Sequence, residues 1–187
     1  MNQSTKKRLF IALNPPPEAK KKIKDIIGVL AKDSYGIKWV NRGLLHITLR
    51  FLGETDEATE SESIKRLKAL AGNFGRQEII LNKIAAFPGL VRPRVIILSG
   101  EELKSNPIER LLVSIDEALA ACGLNPDSKP FKTHLTLGRV KSTDFKINWP
   151  ENLNVGPIKF SLNTFALMSS YLTPAGPIYK VVAEFRL

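Results

Sequence analysis

The chain has 187 residues and is 43% hydrophobic, which is enough apolar material for a folded core and argues against a disordered tail. Its 28 lysines and arginines outnumber 18 acidic residues, and the net charge of +10 favours anionic partners such as nucleic acid or nucleotides. No apolar run approaches the ~18 residues that span a membrane, and the stretch after the basic N-terminus is too short for a signal peptide. With a single cysteine, no disulfide forms within the chain. We therefore expect a cytoplasmic protein without a membrane segment.

The first half is predicted to run strand, helix, two strands, helix. RLFIAL predicts a buried strand. Asn14, before three prolines, predicts a helix start, because asparagine caps free N–H groups and proline lacks one. An apolar stripe with lysines opposite supports that helix. IKWVN and LLHITLRFLG then predict strands, and a helical pattern runs from Asp56 to Ala71.

The second half is predicted to contain one helix among several strands. EIILNKIAAF and RVIILSG predict strands, and a helix is predicted from Asn106 to a stop at Gly123, with Cys122 on its buried stripe. FKTHLTLGRV predicts the next strand. IKFSLNTFALMSS and IYKVVAEFRL predict two late strands around the turn TPAGP. Because helices and strands do not alternate strictly, the expected fold class is α+β with mainly antiparallel sheet.

Both histidines of the chain stand in the same frame, His-apolar-Thr-Leu, once in each half. The frames begin at His46 and His134, each a similar distance after the start of a predicted helix. A lone histidine on a strand is more often a half-buried structural residue than a catalyst. The repetition reverses that expectation and predicts two pseudo-symmetric lobes, with outer helices, that face each other across a central cleft.

Alternation along a strand gives each motif a polar face opposite a core face. The polar faces are formed by His46, Thr48 and Arg50 in the first motif and by His134 and Thr136 in the second. Strict alternation places Arg139 on the core side of the second strand. Gly138 before it permits a bulge that would turn Arg139 towards the cleft.

This combination of side chains favours acid–base chemistry on an anion. Two histidines without clustered carboxylates make a poor metal site, and a Ser-His-Asp triad needs only one histidine. We therefore expect neither a metal nor another cofactor. Near neutral pH one imidazole can act as base and the other as acid, while hydroxyls and an arginine hold the anion. A cyclic phosphodiester suits such a pair, because its attacking and leaving oxygens lie on opposite sides of phosphorus.

Over nearly its whole length the chain resembles the two-histidine (2H) phosphoesterase superfamily, in its RNA 2′,3′-cyclic phosphodiesterase branch, historically called 2′-5′ RNA ligase. The stretches that carry the resemblance are KRLFIAL, KWVNRGLLHITLRFLGE, FPG…PRVIIL, FKTHLTLGRV and YLTPAGPIYKVVAEF. One departure is Thr133, where many relatives have proline before the second histidine.

The resemblance implies metal-independent hydrolysis of an RNA 2′,3′-cyclic phosphate to a 2′-phosphate. It assigns His46 as proton donor and His134 as proton acceptor. Thr48, Thr136 and Arg139 would bind the phosphate. The expected partner is RNA or a nucleotide with a 2′,3′-cyclic phosphate end, bound by a monomer in which residues 1–187 form one two-lobed domain.

Two alternatives stay open at this point. One is a 2H esterase or ligase that acts on small cyclic nucleotides or 2′-5′ linkages, and the other is a non-catalytic RNA-binding module on the same fold. Trp39 and Phe10 could stack on a base but are equally suited to the core. Tyr179 and Ser169 lie in the region that resembles the family's closing hairpin, and neither is assigned a role.

Overall fold

The structure is a computed structural model, and it describes residues 6–100, 107–126, 130–174 and 176–187. Three α-helices, one short 3₁₀ helix and nine strands occur in this part of the chain. In chain order they are β1 (Lys7–Leu13), α1 (Pro17–Ala31), β2 (Ile37–Trp39), the 3₁₀ helix (Arg42–Leu44), β3 (Ile47–Thr55), α2 (Glu57–Ala69), β4 (Gln77–Phe87), β5 (Val95–Gly100), α3 (Pro107–Ala120), β6 (His134–Val140), β7 (Asn154–Leu162), β8 (Thr164–Thr173) and β9 (Gly176–Arg186).

The strands form two sheets whose neighbours all pair antiparallel. One sheet has four strands in the order β3-β1-β8-β9, and the other has five in the order β2-β6-β5-β4-β7. Each sheet therefore contains one of the two histidine motifs, and the motif strands β3 and β6 contact each other. The predicted α+β class and the two lobes of antiparallel sheet are confirmed.

The helices pack their apolar stripes against the sheets. In α1 the stripe buries Ile23, Ile27 and Leu30, as its 3.6-residue period predicts. In α3 it buries Leu111, Ile115 and Leu119. These side chains join residues of both sheets in one apolar core, so the two lobes share their main source of stability.

Some predicted helix ends differ from the structure, and the second helix, predicted to run to Ala71, ends at Ala69. Helix α1 begins at Pro17 with Pro16 as its cap, so the prediction that Asn14 caps it is wrong. Proline already lacks the N–H that a cap would satisfy, and the Asn14 amide points instead towards the Met168 sulfur at 4.0 Å. Asp56 does cap α2, because its side chain accepts from the Thr59 N–H. Asn106 lies outside the described residues.

The C-terminal end of α3 also differs. The helix ends at Ala120, so Cys122 lies in the following turn and is half-buried, not on a buried helical stripe. Gly123 takes a positive φ of 74° in that turn, which glycine adopts at little cost. The predicted stop at Gly123 therefore falls in the turn that follows the helix.

The single strand predicted from IKFSLNTFALMSS is two strands in different sheets. The chain bends at Asn163, whose carbonyl accepts from the Leu187 N–H. Strand β7 before the bend is an edge strand, and β8 after it is central, with five consecutive buried residues from Phe165 to Ser169. The bend thus moves the chain from one lobe to the other.

None of the helices in the described ranges is long and apolar enough to cross a membrane.

Candidate active site

The first histidine lies immediately before β3. His46 Nδ1 is 2.7 Å from the Leu44 carbonyl oxygen, and its Nε2 is 3.0 Å from Thr48 Oγ1. A carbonyl can only accept, so Nδ1 carries the proton of this hydrogen bond. The nitrogen that can gain or lose a proton is therefore Nε2, which the Thr48 hydroxyl contacts.

The second histidine repeats this arrangement at the start of β6. His134 Nδ1 is 2.7 Å from the carbonyl oxygen of Lys132, again two residues earlier in the chain. The Thr133 carbonyl between them accepts a hydrogen bond from the Gly100 N–H, which holds this segment against β5. Both imidazoles are thus held by Nδ1 and have Nε2 available for chemistry.

Each imidazole also packs perpendicular to an aromatic ring from a more distant strand of its own sheet. The ring centroids of His46 and Tyr179 are 5.2 Å apart at 89°, and those of His134 and Phe87 are 5.3 Å apart at 87°. The Phe10 ring also contacts His46, with the two ring centroids 5.1 Å apart. Such contacts restrict rotation of the two imidazoles.

Both motif strands contain a bulge at the leucine of the repeated frame. In β3, Arg50 pairs with Ile11 and Thr48 with Ala12, which leaves Leu49 without a partner. In β6, Leu137 is likewise the extra residue, next to Gly138. After each bulge, the side chains point to the opposite face of the strand from the one that strict alternation predicts.

The bulge in β3 makes one prediction wrong. Arg50 does not share the His46 face but is 3% exposed on the opposite side of the strand. Its Nε lies 2.7 Å from Asp116 Oδ1 on α3, and another guanidinium nitrogen donates to the Asn125 carbonyl. Arg50 therefore fastens the motif strand to α3, and Phe51 takes the place on the cleft side, where it is 61% exposed.

The bulge in β6 turns Arg139 into the cleft, as predicted from Gly138. A Cβ on Gly138 would lie 2.8 Å from the Trp39 ring, so only glycine lets β2 approach this closely. His46 and His134 are each followed, five residues later, by a cleft-facing side chain. These equivalent positions hold Phe51 and Arg139, so the two lobes differ in chemistry where they match in shape.

The two motifs line one cleft between the lobes, with a volume of about 1120 Å³. His46, Thr48, His134, Thr136 and Arg139 all contribute to its surface, so the structure brings every predicted site residue together. Four basic side chains line this cleft and, among the described residues, no acidic one does; the four are Arg8, Lys38, Arg139 and Lys141. A positive surface of this kind attracts an anionic ligand.

Burial lowers the pKa of His46 below its ordinary value. The positive charges of Lys20 and Arg139 act in the same direction, as does His134, and the hydrogen bond to Leu44 opposes them. His46 is consequently biased towards its neutral form while the cleft holds no anion.

Several cleft residues were not assigned by the sequence. Phe10 and Trp39 both line the cleft, although Phe10 is only 3% exposed. Ser169 is buried and its neighbour Ser170 reaches the cleft instead. Tyr179 was noted without a role, because nothing local to β9 indicates that its ring reaches His46.

Two facing His-x-Thr frames in a basic cleft define a two-histidine phosphoesterase site. The chain belongs to the 2′-5′ RNA ligase superfamily, whose family model matches residues 15–173. A protein of Thermotoga maritima named RNA 2′,3′-cyclic phosphodiesterase is 34% identical over 180 residues, which cover 95% of this chain and 94% of that protein. One of the same name from Archaeoglobus fulgidus is 36% identical over 186 residues, covering 95% and 99%.

Solved structures agree on the fold. The protein TT0787 of Thermus thermophilus superposes with a TM-score of 0.82 at 28% identity, covering 96% of this chain and 97% of that one. E. coli LigT, in complex with 3′-AMP, gives a TM-score of 0.80 at 22% identity, covering 97% and 98%. At 22% identity, the similarity to E. coli LigT supports a shared fold and nothing further.

Proposed function

We propose that the protein hydrolyses RNA 2′,3′-cyclic phosphate ends to 2′-phosphate ends. The observation that carries this proposal is the pair of imidazoles, each held through Nδ1 and lining one basic cleft. The names of its relatives support the same reaction.

The two histidines divide the proton transfers between them. His134 in its neutral form accepts a proton from water at Nε2, and the water oxygen bonds to phosphorus. The bond from phosphorus to O3′ breaks, and protonated His46 gives its Nε2 proton to O3′. The product carries a 2′-phosphate and a free 3′-hydroxyl, and the two histidines exchange protonation states.

The threonines of the two His-x-Thr-x (HXTX) motifs and the nearby Arg139 bind the phosphoryl group. Thr48 and Thr136 donate from their hydroxyls to the phosphoryl oxygens, and Arg139 compensates the charge that grows on them in the transition state. Thr48 also contacts His46 Nε2, so it orients the proton donor relative to the leaving oxygen.

The lowered pKa of His46 has a consequence for this assignment. A proton donor must be protonated, and burial together with the positive charges of Lys20 and Arg139 opposes that. The bound anion compensates their charge, so substrate binding raises the pKa of His46 and favours its protonated form.

A direct assay tests this function. The protein is incubated with an oligonucleotide that ends in a 2′,3′-cyclic phosphate, and the terminus of the product is identified. A 2′-phosphate is expected. An unchanged substrate would contradict hydrolysis, and joined strands with a 2′-5′ linkage would favour the ligase alternative.

The reaction is expected to survive an excess of EDTA. In the described ranges no three His, Cys, Asp or Glu side chains cluster in a way that could hold a metal ion. We expect less than a twofold change in kcat/KM after dialysis against the chelator. Loss of activity that one divalent ion restores would contradict a mechanism carried by histidines alone.

RNA is expected to be a better substrate than a cyclic mononucleotide. Lys38 and Lys141 line the cleft beside Arg139 and can reach the phosphates of further nucleotides. For a ten-nucleotide RNA, Lys38→Gln with Lys141→Gln should raise KM and lower the slope of log affinity against log salt by roughly 0.7 per lysine.

The matched control for this prediction removes the same charge elsewhere. Lys21→Gln with Lys24→Gln changes two exposed lysines of α1 outside the cleft. This variant should keep the wild-type KM and salt slope for RNA. Equal losses in both double variants would show that net charge, and not the cleft, selects RNA.

Both histidines come from one chain, and one apolar core is shared by the two sheets. We therefore infer that residues 1–187 act as one two-lobed domain and that the protein works as a monomer. A cytoplasmic location follows from the RNA substrate proposed here.

A further inference from the structure

Tyr179 of β9 is the one tyrosine, within the described part of the chain, that lines the cleft. Its ring lies perpendicular to the His46 imidazole, with the centroids 5.2 Å apart, and edge-on to Phe10 at 5.1 Å. These contacts fix the ring against the proposed proton donor. Tyr179 therefore lies in the cleft lining next to the proposed proton donor.

The opposite lobe shows what the ring alone provides. Phe87 packs on His134 at nearly the same distance and angle as Tyr179 on His46. Phenylalanine has no hydroxyl, so holding an imidazole in this fold does not require one. The hydroxyl of Tyr179 is thus an additional group on one side of the cleft.

The surroundings of that hydroxyl favour an anionic ligand. Tyr179 is half-buried in the cleft lining, and tyrosine hydroxyls in such positions usually find a hydrogen-bond partner. The positive charges of Arg139 and Arg8 lower the pKa of the Tyr179 phenol. Burial nevertheless raises the pKa of Tyr179, so the phenol keeps its proton and can donate.

We propose that the Tyr179 hydroxyl binds the substrate phosphate by donating a hydrogen bond to a phosphoryl oxygen beside His46. This inference rests on the proposed function, since it names a further binding group for the same anion. The 2′-phosphate product offers the same acceptor oxygens and binds in the same way. Tyr179 then completes the phosphate site formed by Thr48, Thr136 and Arg139.

The test removes the hydroxyl and leaves the ring. A hydrogen bond to a charged group contributes enough that Tyr179→Phe should weaken the affinity for adenosine 2′-phosphate by about 10- to 150-fold. Calorimetric titration measures this without turnover, and KM for the cyclic phosphate should rise in parallel. Tyr171→Phe removes a hydroxyl from the neighbouring strand outside the cleft and should leave both values unchanged.

A second variant separates substrate binding from the packing of the ring. Tyr179→Ala also uncovers His46, so the limb of the pH–rate profile that His46 sets should move to higher pH. In Tyr179→Phe that limb should stay in place. Wild-type affinity and KM in Tyr179→Phe would overturn the proposal. If the wild type binds adenosine 2′-phosphate through Tyr179 but opens no cyclic phosphate, the binding role stands and the proposed function fails.

Discussion

Replacement of either His46 or His134 by alanine is expected to lower kcat by about 10²–10⁴-fold, the usual contribution of one positioned acid or base. Each variant loses one of the two proton transfers, because the described part of the cleft holds no other histidine and no carboxylate. The measurement is steady-state hydrolysis of an oligonucleotide that ends in a cyclic phosphate.

Two controls accompany these variants. Circular dichroism and urea unfolding should show a wild-type fold, since both imidazoles are only half-buried. Added imidazole should restore part of the rate, because it fits the space that the lost side chain leaves. A single variant that keeps a near-wild-type rate would contradict the two-histidine mechanism.

Arg50→Ala is expected to destabilise the protein by about 2–3 kcal/mol, less than removal of one partner from a fully buried ion pair costs, because Asp116 is 29% exposed. Arg50 is 3% exposed, and its loss leaves the partly exposed Asp116 carboxylate without its cation. The free energy of unfolding in urea measures the effect.

The matched control is Arg8→Ala, which breaks an ion pair with Glu54 whose side chains are more than half exposed. That change should cost less than about 1 kcal/mol. The double variant Arg50→Met with Asp116→Leu should recover much of the lost stability, because it leaves no unpaired charge. Equal stability of Arg50→Ala and the wild type would show that the pair does not fasten β3 to α3.

The sequence was sufficient to predict that the two histidines and their threonines line one cleft between two lobes. The repeated frame and the strand alternation that indicate this are local patterns. The two bulges show where such reasoning ends. Gly138 marks the bulge in β6, and Arg139 could be placed in the cleft from it. No glycine marks the bulge at Leu49, which arises from pairing with β1, and Arg50 was therefore placed on the wrong face.

Other features depend on contacts between distant segments. The bend at Asn163 separates β7 from β8 because the two strands join different sheets, which the continuous apolar pattern does not reveal. Tyr179 reaches His46 only because β9 joins the sheet that contains β3. Nothing within IYKVVAEFRL indicates this contact.

The roles of the two histidines can be tested most directly with a substrate whose leaving O3′ is replaced by sulfur. A thiol has a pKa of about 8.5, so a thiolate can depart without receiving a proton. On this substrate His46→Ala should approach the wild-type rate, whereas His134→Ala should stay as slow as on the oxygen substrate. Recovery of His134→Ala instead would reverse the assignment of donor and acceptor, and recovery of neither variant would contradict general acid catalysis by a histidine.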